Sequence, residues 1–385
     1  MTSSSPPSTR APRVCAACVK HDSFRALIND YGEDSRTCSL CGQTRRTVDV
    51  SLPAFVQLAK SLVRYFFSEW EYNEHHGGDG LEQLLLRENP LIENGNPDVV
   101  EEIALRVFEK PYEKYDDGVT LFAGYDDGVQ LPLLRSLRDD EAALVTRLRA
   151  DLTRVNYFVV EREITEVLRP LADRVSRQIP AGQHYFRARI GIAQRFRFGD
   201  DLAREGFIPL SGTAIGAPPP TKASAGRGNR QGVSFLYVAS TVDTALAEVR
   251  PHPGHLVSIG TLAPDRALKI ANFHDIAISN YATSDAGLAD FLLLQSINRE
   301  LSEPITPDER DKYVLGQLIT DVCRQLGFDG VQYRSSVATG HNLCLFDPGG
   351  VAHRPEDARV VRVDRVSFDA TSLESFAEPP ADHYP

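Results

Sequence analysis

An arginine, a tyrosine and a glutamate fall close together in GRGNRQGVSFLYVASTVDTALAEVR, residues 226–250. Arg227 opens the stretch between glycines, Tyr237 lies in an apolar run, and Glu248 ends a short helical pattern. A cation, an aromatic face and a carboxylate can hold an anionic nucleotide and stabilise a sugar cation. Gly226, Gly228 and Gly232 let the backbone come close to a ligand. Alternation along the strand puts Val233, Phe235 and Tyr237 on one face. On the helix, Ala245, Glu248 and Val249 share one side, which sets the carboxylate beside an apolar surface. Each residue also has an ordinary reading: a solvated loop arginine, a core tyrosine, a partly exposed helical glutamate.

A second chemistry is written in the cysteines. Cys15 and Cys18 form one CxxC pair, Cys38 and Cys41 another, with nineteen residues between the pairs. That spacing matches a zinc ribbon or treble clef. Four thiolates suit tetrahedral zinc and leave no open position for catalysis, so the expected role is structural. Redox cysteines and an iron site are the alternatives. Gly42 fits the tight turn of a knuckle. His21 is left out because four cysteines complete the shell, and Cys323 and Cys344 are isolated.

The elements that must position these residues divide the chain. With 385 residues there is room for two domains and a small module, and 42% apolar with 25% charged residues describes an ordinary globular composition. A net charge of −11 argues against broad nucleic-acid binding. No apolar run reaches about 18 residues and the first residues lack a secretion-signal core, so no membrane span is expected and the default address is the cytoplasm.

The boundaries read as a disordered lead over 1–13, a four-cysteine module over 14–50, a mainly helical domain over 51–178, a mixed domain over 180–370 and a mobile tail over 371–385. In the helical part, Phe55, Leu58, Leu62, Tyr65 and Phe66 recur at helical steps, Asn96 reads as a cap, and 139–178 is a long amphipathic pattern interrupted at Pro170. The YDDGV repeat at 115–119 and 125–129 and the HHGGDG stretch with His75 and His76 read as loops. After 180, strands at 184–191 and 234–240, a helix capped by Thr241 or Asp243, and a final alternating edge strand give an α+β pattern without regular alternation.

The ordered set FRAR, GAPP, GRGN, FLYVA, TALAEVRP, GQLITDV and GFDGVQYRSS resembles the RES family over roughly 185–350. That resemblance implies an ADP-ribosyltransferase-like α+β fold with mixed sheets and an NAD+-consuming bacterial toxin. Carried onto this chain it marks Arg227, Tyr237, Glu248 and Ser335, with Arg187, Asn229 and Asn342 as further ligand-binding positions. Glu248 would stabilise the ribose oxocarbenium ion, Arg227 with Arg187 would bind phosphate, and Tyr237 would stack on the nicotinamide or ribose. Ser335 would donate a hydrogen bond. The implied substrate is NAD+, cleaved by a glycohydrolase or phosphorylase; an ADP-ribosyltransferase acting on a protein, and a nucleotide-sensing binding protein without turnover, are the alternatives.

The amino-terminal layout loosely resembles the zinc-plus-HEPN-like region found ahead of some RES domains, but lacks the HEPN arginine-to-histidine motif. The implied partner is an Xre-like antitoxin or another regulatory protein, and a homo-oligomer fits the same expectation. Compact RES toxins lack this long amino-terminal extension, and GRGN lacks the bulky residue often found there.

Overall fold

The cysteine pairs sit at two tight turns that shape the start of the chain. The computed structural model describes residues 11–72, 77–87, 91–93, 95–107, 133–200, 202–282, 284–305, 309–373 and 375. His75, His76, both YDDGV copies and most of the expected lead and tail lie outside the described residues. By backbone contacts the chain divides into two compact units. One comprises Met1–Gln178, Ser224–Val233 and Lys269–Ser336; the other Ile179–Ala223, Ser234–Leu268 and Val337–Pro385.

The first unit begins with β1 (Arg13–Cys15), α1 (Asp22–Tyr31), β2 (Glu33–Thr37) and β3 (Thr44–Asp49). The three strands form an antiparallel sheet in the order β1-β3-β2. Cys15 ends β1 and Cys38 follows β2, so both CxxC turns leave the same small sheet. Gly42 takes a φ of 70°, where a side chain would be strained. His21 caps α1: its Nδ1 accepts the Ser23 backbone N–H at 3.2 Å.

Helices follow: α2 (Pro53–Phe66), α3 (Glu69–Tyr72), α4 (Leu81–Leu84), α5 (Pro97–Val107), α6 (Ala143–Asp151), α7 (Tyr157–Leu168) and α8 (Ala172–Val175). Proline opens α2, where its missing N–H costs nothing, and Phe55, Leu58 and Leu62 are buried as their spacing requires. Asn96 accepts the Asp98 N–H at 3.0 Å ahead of α5. The long amphipathic stretch breaks before Tyr157, because Asn156 turns its Oδ1 to the Phe158 N–H at 3.1 Å and starts a new helix. Pro170 falls in a single 3-10 turn, Arg169–Leu171, that ends α7.

The chain then forms β4 (Ser176–Ile179) and enters the second unit with β5 (Tyr185–Ile190), β6 (Gln194–Phe198), β7 (Arg204–Ile208), β8 (Leu236–Ala239), α9 (Val242–Glu248) and β9 (Leu256–Pro264). It returns to the first unit for β10 (Leu268–Asn272), α10 (Asp285–Ser302), α11 (Val314–Gln325) and β11 (Gly330–Arg334), and closes in the second with β12 (His341–Leu345) and β13 (Val351–Arg362). In the first unit β10 and β11 pair in parallel, and α7 packs on α11. In the second, strands run β13-β9-β5-β8-β12 and every neighbouring pair is antiparallel. Helices and both kinds of strand pairing make a mixed α/β architecture. Among the described residues no helix is long and apolar enough to cross a membrane.

The second unit's core gathers Ala188, Ala239, Ala245, Val257 and Ile259 under α9, with Val242, Leu246 and Val249 packed on it. Small side chains on the strands let the helix approach closely. Further along the sheet, a Cβ at Gly260 would lie 2.9 Å from Ile215 and 3.1 Å from the His353 ring. Both ring nitrogens of His353 are buried without a hydrogen-bond partner among the described residues. Burial pushes this imidazole below its usual range, with Glu356 opposing.

Folded His353 therefore holds a proton more weakly than the unfolded chain. Acidification below the ordinary histidine value of about 6.5 favours the unfolded state until the folded value is passed. His353→Leu is expected to raise the urea midpoint by an equivalent on the order of 1 kcal/mol at neutral pH. It should also shrink the midpoint's fall between about pH 7.5 and 5.5, though not abolish it, because His21 is shifted by burial in the same direction.

Candidate active site

Glu248 is the last residue of α9, a helix that starts where β8 ends. Thr241 is the cap that the sequence left open between Thr241 and Asp243: its Oγ1 accepts the Thr244 N–H at 3.1 Å. The helix stops as Arg250 enters the left-handed region with a φ of 46°. A carboxylate at a helix C-terminus faces that helix's exposed carbonyls, which stability alone does not favour. Here it gains a specific partner. Asn342 on β12 donates from Nδ2 to Glu248 Oε1 at 2.6 Å, and Asn342 is itself buried.

The register of β8 and β12 pairs Ala239 with Asn342 and Tyr237 with Cys344. These positions are two apart on each strand, so all four side chains share a face. Tyr237 is half-buried and lies directly across from Cys344 on the neighbouring strand. Burial pushes that thiol to about 12, with the tyrosine and Arg187 opposing. Cys344 is therefore a neutral packing partner and no nucleophile.

Arg187 on β5 donates from Nη1 to the Tyr237 carbonyl. Its Nε is buried without a partner, and no carboxylate pairs with it among the described residues. Burial, then the charge of Arg189, lowers this guanidinium to about 10. A buried cation with an unused donor is equipped to bind an anion. Within the second unit, then, Asn342 is joined to Glu248, and Arg187 to the backbone of Tyr237.

The other marked residues belong to the first unit. Arg227 donates to the Glu303 carbonyl and, at 3.3 Å, to Ser336 Oγ, and lies 5.8 Å from the Tyr313 ring centre. Asn229 donates through its amide to the carbonyls of Ser224, Arg230 and Val233 at 2.9–3.1 Å, so it shapes the loop carrying Arg227. Ser335 is buried just after β11. Ser336, which the sequence reading passed over, is bonded to Arg227; only the Ser-Ser doublet hinted at it.

Gly340 is another residue missed from sequence. A Cβ there would sit 2.2 Å from Thr244 Oγ1 and 2.6 Å from Ser240 Oγ, so the loop before β12 lies directly on the start of α9. Ser240 Oγ accepts the His341 N–H at 3.0 Å across the same contact.

The four cysteines converge as their spacing requires. Their sulfurs all lie within 4.8 Å of one another, with Cys15–Cys18 at 3.7 Å, Cys15–Cys41 at 3.8 Å and Cys18–Cys38 at 3.9 Å. A tetrahedron with metal–sulfur bonds of about 2.3 Å has edges of about 3.8 Å. The set fits such an ion and could bind one. Burial pushes Cys18 and Cys38 up, whereas the Gln43 backbone N–H holds exposed Cys41 at about 7.

Residues 197–369 match the family model described as RES domain. This match spans under half of the chain and contains Arg227, Asn229, Tyr237, Glu248, Ser335 and Asn342, while Arg187 precedes it. Among solved structures, the chain is similar to one in the "Crystal structure of the M.tuberculosis MbcT-MbcA toxin-antitoxin complex". The match is 13% identical, covers 52% of this chain and 94% of that chain, and has a TM-score of 0.30, too low to carry fold or function across. No curated protein matches.

Gly340→Ala should destabilise the second unit by about 1–3 kcal/mol through overpacking on α9, read as a lower denaturation midpoint. Cys15→Ser combined with Cys18→Ser should remove bound metal, measured by elemental analysis, and lower the melting temperature.

Proposed function

We propose that the RES-matching stretch forms an enzyme that cleaves the nicotinamide–ribose bond of NAD+, by hydrolysis or phosphorolysis. The observation that carries this reading is the Asn342–Glu248 hydrogen bond at 2.6 Å, which fixes a solvent-accessible carboxylate at a helix end. Breaking the glycosidic bond builds positive charge on the ribose, and a fixed carboxylate lowers the energy of that state without reorganising. Asn342 acts as a positioning residue. Its Nδ2 donates to Oε1 and so restricts how the carboxylate is presented to a ribose hydroxyl or the attacking acceptor.

Arg187 supplies a buried guanidinium with an unused Nε for a phosphate oxygen. Tyr237, opposite Cys344 on the neighbouring strand, offers an aromatic face to nicotinamide or ribose and excludes water. The roles proposed for Arg227, phosphate binding, and Ser335, donating a hydrogen bond, rest on side-chain chemistry and the RES match. A toxin or defence role with a regulatory partner such as an Xre-like antitoxin, zinc in the four-cysteine set, and a HEPN-like character for the helical region belong to this proposal. The same cluster would serve a transferase if a protein side chain replaced water or phosphate as acceptor.

The test is purified protein incubated with NAD+, with and without phosphate, and products resolved by mass spectrometry. Free nicotinamide with ADP-ribose is expected from hydrolysis, or with ADP-ribose-1″-phosphate from phosphorolysis. Glu248→Gln should lower turnover by at least about a hundredfold with an unchanged melting temperature, because the amide keeps the shape and loses the charge. A fully active Gln variant would sink the role assigned to Glu248. ADP-ribose found on a cellular protein, with little free product, would move the assignment to the transferase.

A further inference from the structure

A cavity of about 550 Å³ lies in the first unit and shares no residue with the Glu248 neighbourhood. Its lining combines Phe66 and Phe67 at the end of α2 with Arg87, Arg135 and Arg138. Its volume falls in the range of small-molecule sites.

The wall carrying two of these arginines is held by buried charge. Arg64 and Glu69 are both almost fully buried, an expensive placement unless each charge is used. Arg64 donates from Nη1 to the Arg135 carbonyl at 2.8 Å, and Glu69 Oε2 accepts the Leu134 N–H at 2.9 Å. Backbone bonds from Glu69 to Leu134, Leu137 to Arg64 and Arg138 to Tyr65 complete the clamp. The segment is thus fixed before any ligand arrives, which lowers the entropic cost of binding.

The carboxylates on the walls are already matched. Glu71 accepts from the Ser68 N–H and hydroxyl at 2.8 and 3.1 Å and, with Asp79, neutralises Arg87. Asp139 accepts from Ser136 Oγ at 2.7 Å and pairs with Arg138 at 3.3 Å. Arg135 is different: no carboxylate pairs with its side chain among the described residues. One uncompensated planar fork beside an aromatic wall suits an anion that carries a flat, apolar body.

We propose that this cavity is a second ligand site, taking a nucleotide-like organic phosphate whose phosphate is held by Arg135 and whose aromatic body lies against Phe66 and Phe67. The site goes beyond the NAD+-cleaving reading and stands without it.

The test is isothermal titration of the full chain with AMP, ATP and sodium pyrophosphate, repeated on Arg135→Ala, Arg135→Lys and Glu248→Gln. Saturable binding of a nucleotide is expected, weaker binding of pyrophosphate, and a loss of about tenfold to a hundredfold in Arg135→Ala. Arg135→Lys should fall between, and Glu248→Gln should bind as the parent does. Three results would overturn the proposal: no heat with any probe, equal nucleotide affinity in Arg135→Ala, or loss of that affinity in Glu248→Gln. Pyrophosphate binding as tightly as ATP would overturn the aromatic part of the assignment. Because Arg135 is exposed, circular dichroism should show its variants folded as the parent is.

Discussion

The antiparallel register of β8 and β12 decides what the second unit can do. It pairs Ala239 with Asn342 and Tyr237 with Cys344, and so brings a buried amide and a half-buried phenol onto the face covered by α9. A slip of β12 by one residue would turn Asn342 and Cys344 away from that face. The α9 helix is seven residues long and contributes little stability by itself. Its place is fixed by its cap, by the apolar seam of Ala245 and Val249, and by the contact of Gly340 with Thr244. Glu248 inherits its position from those constraints.

Polar groups taken out of water are used throughout to hold backbone. Asn229 ties three carbonyls of one loop; Arg64 and Glu69 clamp another; Ser258, fully buried, donates to the Gly191 carbonyl at 2.7 Å and accepts the Leu210 N–H at 2.9 Å. Each exchanges hydration for a directed bond that a longer, apolar side chain could not make. Arg187 departs from this pattern: Nη1 is satisfied by backbone, while Nε is buried without a partner among the described residues. The ligand role proposed for Arg187 rests on that asymmetry.

The four-cysteine module follows another rule. Its strands have three, five and six residues, and β2 is exposed along its length, so apolar burial alone gives such a sheet little stability. Thiols packed at tetrahedral spacing could hold an ion, and binding there would couple to the folding of this sheet. The aromatic stack of Phe24 on Phe55 then joins α1 to α2 within the same unit.

Local signals were legible in the sequence because local physics determines them. The CxxC spacing, the proline at the start of α2, the Asn96 cap and the alternation in β8 each depend on residues a few positions apart. The set Arg227, Tyr237, Glu248 and Ser335 came instead from the resemblance to RES proteins, since each residue alone has an ordinary reading. Tertiary structure alone decided which groups meet. Asn342 was marked as a ligand residue and holds Glu248; Asn229, marked likewise, shapes its own loop. Ser336 touches Arg227, and Gly340 matters because a helix almost a hundred residues earlier in the chain lies against it. None of these contacts leaves a periodicity or a composition to read, because each pairs residues far apart in sequence whose meeting is fixed only when strands choose their register and helices their seat.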